Sequence, residues 1–164
     1  MAYSTLPTFP LIILGIIEPL LLLWGCITSF ADPFAFYATQ SPIPPLDTTT
    51  QFPPQAQILS YMLANIYLLL AAIAIICCFS PSATTAKWYL IAVAFGDYGH
   101  IYASYRGLPP HVFWDVGQWN DVVWGNIAAS VVLNVVRWLT VMGAFGSPRV
   151  EANSAVGVLE KKDS

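Results

Sequence analysis

Apolar side chains dominate four stretches of this chain, and more polar segments separate them. The stretches cover about residues 10–30, 57–79, 87–105 and 121–145. Each is close to the roughly 20 residues that a helix needs to cross the hydrocarbon core of a bilayer. The pattern therefore predicts an all-α fold, an integral membrane bundle of four transmembrane helices.

Two of the intervening segments are rich in aromatic residues. The segment 31–55 is also rich in proline, which argues against a long regular helix there. The segment 109–120 carries Phe113, Trp114 and Trp119. Because aromatic side chains favour the membrane–water interface, we expect both segments to lie on the membrane surface, the first as a lid.

The composition supports a membrane protein. The chain has 164 residues, of which 57% are hydrophobic and 9% charged, whereas a soluble domain carries about 25% charged residues. The net charge of -3 gives no reason to expect a nucleic-acid partner. We find no zinc-type Cys/His spacing and no glycine-rich phosphate loop, so we expect no metal and no cofactor. We assign residues 1–146 to a four-helix transmembrane domain and residues 147–164 to a disordered cytosolic tail.

Basic residues outside the apolar stretches predict the orientation. The side that both termini share carries four lysine and arginine residues, whereas the opposite side carries only Arg106. Positive side chains are retained on the cytosolic side, so both termini are predicted to be cytosolic. The first stretch lacks a basic start and is interrupted by Glu18-Pro19, which favours a retained helix over a signal peptide. A first helix that is retained and four short spans are typical of membrane proteins of the endoplasmic reticulum, so we predict that location.

Ionisable residues inside the apolar stretches are the unusual feature of this sequence. Glu18 interrupts the first stretch, and Asp97 and His100 interrupt the third at a similar depth. Such residues usually face the protein interior and have a function there, because hydrocarbon disfavours charge. Asp97 and His100 are one turn apart and share a helix face. We therefore predict that Asp97, Glu18 and His100 are catalytic residues.

Other polar and aromatic residues extend the predicted site. The fourth stretch carries a polar series whose members are spaced by four, four and three residues, namely Asn126, Ser130, Asn134 and Arg137. A four-helix bundle would bring such groups to one cavity. The predicted substrate-binding residues are Asn65, Asn126, Trp124, Asp115, Trp114 and Tyr98.

Structural roles compete with these functional ones. Asn65 could form an interhelical hydrogen bond worth about 0.6–2 kcal/mol. Arg137 lies near the cytosolic end of its stretch and is interpreted as a side chain that extends to the interface. Gly96 and Gly99 are interpreted as sites where helices approach closely. For Asp115, a structural role in the aromatic segment and a role in the site are about equally favoured.

The predicted site suits acid catalysis. A carboxylic acid that keeps its proton in an apolar site can act as a general acid toward an epoxide or a polarised olefin. Aromatic faces stabilise the carbocation that follows. This chemistry is typical of cyclisation or double-bond isomerisation of a terpenoid or sterol. The structural alternatives are an ion pair of Asp97 with His100 and a packing hydrogen bond donated by Glu18.

Three short motifs carry a resemblance to known proteins. The motifs are Glu18-Pro19, Gly96-Asp97-Tyr98-Gly99-His100 and Trp124-Gly125-Asn126. With them, residues 6–145 resemble a family of small four-span membrane proteins of filamentous fungi, encoded beside terpenoid biosynthetic genes. The layout also resembles the EXPERA group of emopamil-binding sterol isomerases and sigma-2-type receptors. The chemistry resembles that of fungal membrane-bound terpene cyclases. These resemblances imply that Glu18 and Asp97 face a ligand.

One main hypothesis and two alternatives result. The main hypothesis is a membrane-embedded cyclase or isomerase of a terpenoid or meroterpenoid, with Asp97 or Glu18 as the proton donor and His100 as its partner. The first alternative is a non-enzymatic membrane protein that binds a sterol or lipid. The second is a proton-coupled carrier, which would require a dimer because four spans contain no internal repeat. The expected partners are the bilayer and a hydrophobic terpenoid or sterol-like molecule, with a homodimer left open.

Overall fold

All regular secondary structure in the residues that the structure describes is helical. The computed structural model describes residues 4–43 and 51–146. Its helices in these ranges are α1 (Thr8–Ala31), α2 (Pro33–Ala38), α3 (Pro54–Cys78), α4 (Ala83–Gly107), α5 (Pro110–Phe113) and α6 (Asp121–Val141). A 3-10 turn follows α5 at Val116–Gln118. The prediction of an all-helical protein is confirmed for these ranges.

Three of the helices, α1, α3 and α6, are long and apolar enough to cross a membrane. Helix α4 has 25 residues, as many as α3, but it is less apolar because it contains Asp97, His100 and several tyrosines. Three of the four predicted stretches therefore form helices that are candidate membrane spans by length and composition. The remaining stretch, 87–105, forms α4, which is as long as α3 but has a lower mean hydropathy.

Residues that are far apart in the sequence lie close together at the two ends of the long helices. Four residues connect α3 to α4, so these two helices run in opposite directions. Thr5, Ala83 and Val141 line a common cavity of about 450 Å³, which places the start of α4 beside the end of α6. At the opposite end, the side chain of Asn120 donates a hydrogen bond of 2.9 Å to the carbonyl of Thr39.

Small residues bring α1 and α3 into close contact. The buried residues of α3 are all small, namely Ala56, Ser60, Ala64, Ala71, Ala74 and Cys78. A Cβ atom placed on Gly15 of α1 would lie 3.1 Å from the Cβ of Cys78, and one on Gly25 would lie 3.2 Å from a tyrosine ring of α3. Small residues commonly permit such approach between membrane helices. Gly96 and Gly99 face open space, so the prediction of close approach at these two glycines is wrong.

The first aromatic segment contains a short helix that packs on α3. The Asp32 side chain accepts a hydrogen bond from the backbone N–H of Ala35 and so caps the start of α2. The rings of Phe36 in α2 and Tyr67 in α3 lie 6.3 Å apart between centroids. Residues 44–50 of the predicted lid and the predicted tail, 147–164, lie outside the described residues.

Candidate functional site

A proline and a π-helical turn accompany Glu18 in α1. Pro19 has no N–H to donate to the carbonyl four residues earlier, and its ring crowds that carbonyl. The π turn Ile13–Ile17 ends directly before Glu18, and such turns relieve an interruption of the α-helical hydrogen bonds. Glu18 is only 6% exposed. The Glu-Pro sequence thus interrupts α1 where a buried carboxylate is placed.

Arg137 of α6 joins two carboxylates that come from different helices. Its Nη2 donates to Oε1 of Glu18 in α1, and its Nη1 donates to Oδ2 of Asp97 in α4 at 2.6 Å. Arg137 is completely buried, and Asp97 is 8% exposed. Hydrogen bonds in which both groups are charged are among the strongest in proteins. These three residues, which we call the ion cluster, connect α1, α4 and α6.

Asn134 supports the ion cluster from the preceding turn of α6. Its side-chain amide donates to the backbone carbonyl of Ala94 at 2.8 Å and to Oδ2 of Asp97 at 3.4 Å. Asn134 is itself buried. Asp97 therefore accepts hydrogen bonds from two residues of α6, which fixes the position of α4 along α6.

The ion cluster contains more acid than base. Its formal charge is -1 when both carboxylates are ionised and zero when one of them holds a proton. A buried charge without a counter-charge is strongly destabilising, so the neutral form suits an apolar interior better. Among the described residues, Oε2 of Glu18 and Nε of Arg137 are buried without a hydrogen-bond partner. Both hydrogen bonds to Asp97 end on Oδ2, whereas Oε2 of Glu18 is buried without a partner in the described ranges, so Oε2 is a position for a proton or for a polar atom of a ligand.

Apolar side chains enclose the ion cluster toward the end where the chain starts. Leu14, Leu90 and Val136 are buried members of one contiguous core in that region. Leu90 also lines the 450 Å³ cavity, whereas none of the three residues of the ion cluster does. Within residues 4–43 and 51–146, no group of three or more His, Cys, Asp or Glu side chains could hold a metal ion. The side chains of the ion cluster offer hydrogen bonding and proton transfer.

The structure brings Glu18 and Asp97 together, keeps His100 one helical turn from Asp97, and places the other predicted polar residues elsewhere. Asn65 is exposed on the outer surface of α3, apart from the buried Glu18 and Asp97. His100 is half-buried one turn beyond Asp97. Among the described residues, the side chains that donate hydrogen bonds to Asp97 are those of Asn134 and Arg137, not that of His100.

Asn126 also lies apart from the ion cluster, because of a second π turn. Its amide donates to Oε1 of Gln40 at 3.0 Å, which joins α6 to the segment after α2. The π turn Gly125–Ala129 adds one residue to the helical turn. One added residue rotates the preceding side chains by about 100° relative to Asn134. The polar series predicted from a regular spacing is therefore interrupted between its first and third members.

The predicted aromatic residues lie at the surface. The hydroxyl of Tyr98 accepts a hydrogen bond of 2.9 Å from Nε1 of Trp138, and Tyr98 is about half exposed. Trp114 and Trp124 are exposed as well. Aromatic residues at these positions can contact lipid or the membrane interface. None of them is a hydrogen-bond partner of the ion cluster in the described ranges.

Asp115 has a structural role in the second aromatic segment. Its carboxylate accepts hydrogen bonds from Nε2 of Gln118 at 2.8 Å and from the backbone N–H of Gly117 at 3.1 Å. These hydrogen bonds, chiefly that from Gln118, lower the pKa of Asp115. The carboxylate is exposed and caps the 3-10 turn, which places it in loop structure and not in the ion cluster.

Arg137 is the central residue that the sequence reasoning misplaced. It was expected to extend toward the near membrane interface, but it is fully buried. Cα–Cβ bonds in a helix tilt toward the helix N-terminus. At four residues before the end of α6 at Val141, this tilt directs the side chain back along the helix and away from the near end. The position of Arg137 relative to the end of α6 is therefore a signal that could have predicted a buried arginine.

A comparison with protein-family models places the chain in a family. The model described as "Domain of unknown function (DUF7704)" matches residues 3–147. The chain belongs to this family. The match covers the six helices found in residues 4–43 and 51–146 and includes Glu18, Asp97 and Arg137. No curated protein and no solved structure matches the chain.

Proposed function

We propose that this protein is a membrane-embedded cyclase or isomerase that protonates an epoxide or olefin of a terpenoid, meroterpenoid or sterol-like molecule. The ion cluster supports this proposal, because two buried carboxylates share one guanidinium and Oε2 of Glu18 has no partner among the described residues. A bound molecule that reaches this buried oxygen can take up a proton held there. A lipid-soluble substrate would enter from the bilayer.

Glu18 is the proton donor in this proposal. Its O–H bond breaks, and the proton goes to the epoxide oxygen or to one carbon of the olefin. In the epoxide the C–O bond then breaks and its electron pair goes to the oxygen, whereas in the olefin the electron pair of the double bond forms the new C–H bond. Either step leaves a carbocation on the substrate. Arg137, which already donates to Glu18, stabilises the carboxylate that forms.

In a cyclisation, the electron pair of a second double bond of the substrate forms the ring bond and moves the positive charge to another carbon; an isomerisation omits this step. In both reactions a carbon next to the cation then loses a proton, and the electron pair of that C–H bond forms a new double bond. His100, half-buried one turn beyond Asp97, is the candidate base for this proton. Return of one proton to Glu18 completes the cycle, so the product has the mass of the substrate. Asp97 is the counter-ion of Arg137 in this scheme, because it accepts from both Arg137 and Asn134.

We further propose that α4 is a fourth span and that both termini lie on the cytosolic side of the endoplasmic reticulum membrane. Helix α4 is as long as α3, and its Asp97 is covered by donors from α6. A paired carboxylate on the inner side of a helix is compatible with a membrane span. The distribution of lysine and arginine between the two sides supports the orientation.

Product formation in yeast microsomes tests the catalytic proposal. The full chain is expressed, and farnesylated or epoxyfarnesylated aromatic substrates are followed by chromatography with mass detection. Glu18→Gln retains an acceptor for Arg137 and leaves a neutral Arg137–Asp97 pair, so this variant should fold but form no cyclised isomer. Asp121→Asn is the matched control, since it removes one exposed carboxylate at the start of α6.

A cyclised isomer of unchanged mass from the wild type and from Asp121→Asn, but not from Glu18→Gln, supports the proposal. Turnover by Glu18→Gln at the wild-type rate contradicts the assignment of Glu18 as donor. If the wild type converts none of the substrates and retains an unaltered lipid through purification, the protein is a binding protein instead.

Non-enzymatic binding of a sterol or lipid is the second candidate function, and a groove favours it. This groove of about 380 Å³ lies between α2 and the start of α3, and Phe36, Tyr37 and Leu59 contribute apolar lining. Gln40 at its edge is the residue that accepts from Asn126. Apolar walls with a few polar groups are typical of pockets for small hydrophobic ligands.

A further inference from the structure

Helix α3 presents a polar side chain at its middle, on the outside of the protein. Asn65 lies eleven residues after Pro54 and thirteen before Cys78, the two ends of α3. It is exposed, and its amide makes no hydrogen bond with any described residue. Because α3 can cross a membrane, this amide lies deep in hydrocarbon, where neither water nor lipid tails supply a partner. An unpaired amide is costly in such surroundings.

The exposed residues around Asn65 follow a seven-residue repeat. Six exposed positions are spaced by four, three, four, three and four residues, namely Ile58, Met62, Asn65, Leu69, Ala72 and Ile76. This spacing is the pattern with which two helices pack along a common seam. At 3.6 residues per turn, the seam lies opposite the buried face of small residues that contacts α1. The helices of the same chain therefore do not cover it.

We propose that α3 packs against α3 of a second copy of this chain and that the two Asn65 side chains hydrogen-bond to each other. Copies in one membrane have the same orientation, so their α3 helices are parallel and Asn65 lies at one depth in both. A twofold axis along the membrane normal then brings residue 65 of one copy against residue 65 of the other.

The chemistry of the amide favours a second copy as the partner. An amide side chain has both donors and an acceptor, so two identical amides satisfy each other. A lipid tail or a wholly apolar helix offers no such group. A single asparagine in an apolar seam also selects one register and one number of helices. The dimer does not depend on the proposed catalytic function, because Asn65 lies on the outer face of α3 and the ion cluster is buried.

Energy transfer in liposomes tests the dimer. The full chain is fused to donor or acceptor fluorescent proteins, and transfer is measured as the lipid-to-protein ratio is raised. We expect the wild type to dimerise and Asn65→Leu to raise the dissociation constant about three- to thirty-fold, the range for one interhelical hydrogen bond in a membrane. Leucine at this exposed position suits lipid, and circular dichroism checks that the helices of the variant are intact.

A matched variant keeps the composition and moves the amide. The double change Asn65→Ile with Ile66→Asn rotates the polar group by about 100° around α3, to a position that is also exposed. We expect this variant to dimerise as weakly as Asn65→Leu. Wild-type affinity in either variant would overturn the proposal, and so would a wild type that shows no energy transfer at any ratio.

Cysteine crosslinking locates the interface independently. On oxidation, Met62→Cys and Leu69→Cys should form disulfide-linked dimers above the background of the wild-type chain. Leu59→Cys, which is equally exposed but lies off the seam, should not. Stronger crosslinking of Leu59→Cys than of Met62→Cys would place the contact on another face and overturn the proposed seam.

Discussion

Replacement of Arg137 tests whether the ion cluster holds the helices together. Arg137→Met keeps an unbranched, apolar stem and removes the guanidinium, together with its hydrogen bonds to Glu18 and Asp97. Loss of one partner from a buried ion pair costs about 3–5 kcal/mol, because the other charge stays buried without compensation. Arg137 is completely buried and serves two carboxylates. We therefore expect the free energy of unfolding to fall by at least about 3 kcal/mol.

A triple variant separates the effect of charge from the effect of packing. Glu18→Gln, Asp97→Asn and Arg137→Met together leave no charge at the site and nearly preserve the volumes of the side chains. Removal of a whole buried ion group is often neutral or stabilising. The triple variant should therefore be more stable than Arg137→Met by about 2 kcal/mol or more.

Unfolding in mixed micelles provides the required free energies. The helical circular dichroism signal of the purified chain is followed as the mole fraction of a denaturing detergent is raised, for the wild type and both variants. A loss below about 1 kcal/mol in Arg137→Met, the value of a surface ion pair, would refute the reasoning. A triple variant no more stable than Arg137→Met would refute the charge argument and leave packing as the cause.

Three other substitutions test separate features of the structure. Gly15→Val should lower the melting temperature, because even a Cβ atom there lies 3.1 Å from the Cβ of Cys78, whereas Gly96→Val in open space should not. Asn126→Leu removes the hydrogen bond to the segment after α2 and should cost about 1 kcal/mol, measured as faster amide exchange in α2. The pKa of Asp115 lies below its ordinary 3.8, so ionised Asp115 stabilises its loop above about pH 4 and loses this effect as the pH falls through the lowered pKa. The loop can be followed through the fluorine spectrum of fluorine-labelled tryptophans. We expect this spectrum to change as the pH falls through the pKa of Asp115 in the wild type, and we expect Asp115→Asn to abolish the change.

The long helices could be predicted because length and apolar composition are local properties of the sequence. The predicted stretches 57–79 and 87–105 lie within a few residues of α3 and α4. The short helices were harder to predict, because α2 depends on the cap that Asp32 provides and on aromatic contacts with α3. Such contacts join residues that are far apart in the chain.

The residues of the site were only partly predictable, since their placement depends on which side of each helix faces inward. Glu18 and Asp97 could be found as acids within apolar stretches. Asn65 is likewise a polar residue within an apolar stretch, yet it faces outward because the small residues of α3 form the buried face. Asn126 was misplaced because a π turn breaks the regular spacing on which the prediction depended.

The order of the charged residues along the chain has a consequence for synthesis. The ribosome makes Glu18 first, Asp97 later and Arg137 last. Until α6 has been made and has packed on α1 and α4, both carboxylates lack the guanidinium that pairs with them in the finished protein. The carboxylates of Glu18 and Asp97 therefore need a proton, water or another polar partner until the final long helix has been made. A product truncated before α6 retains both acids without their guanidinium partner, so we expect it to be less stable than the full chain.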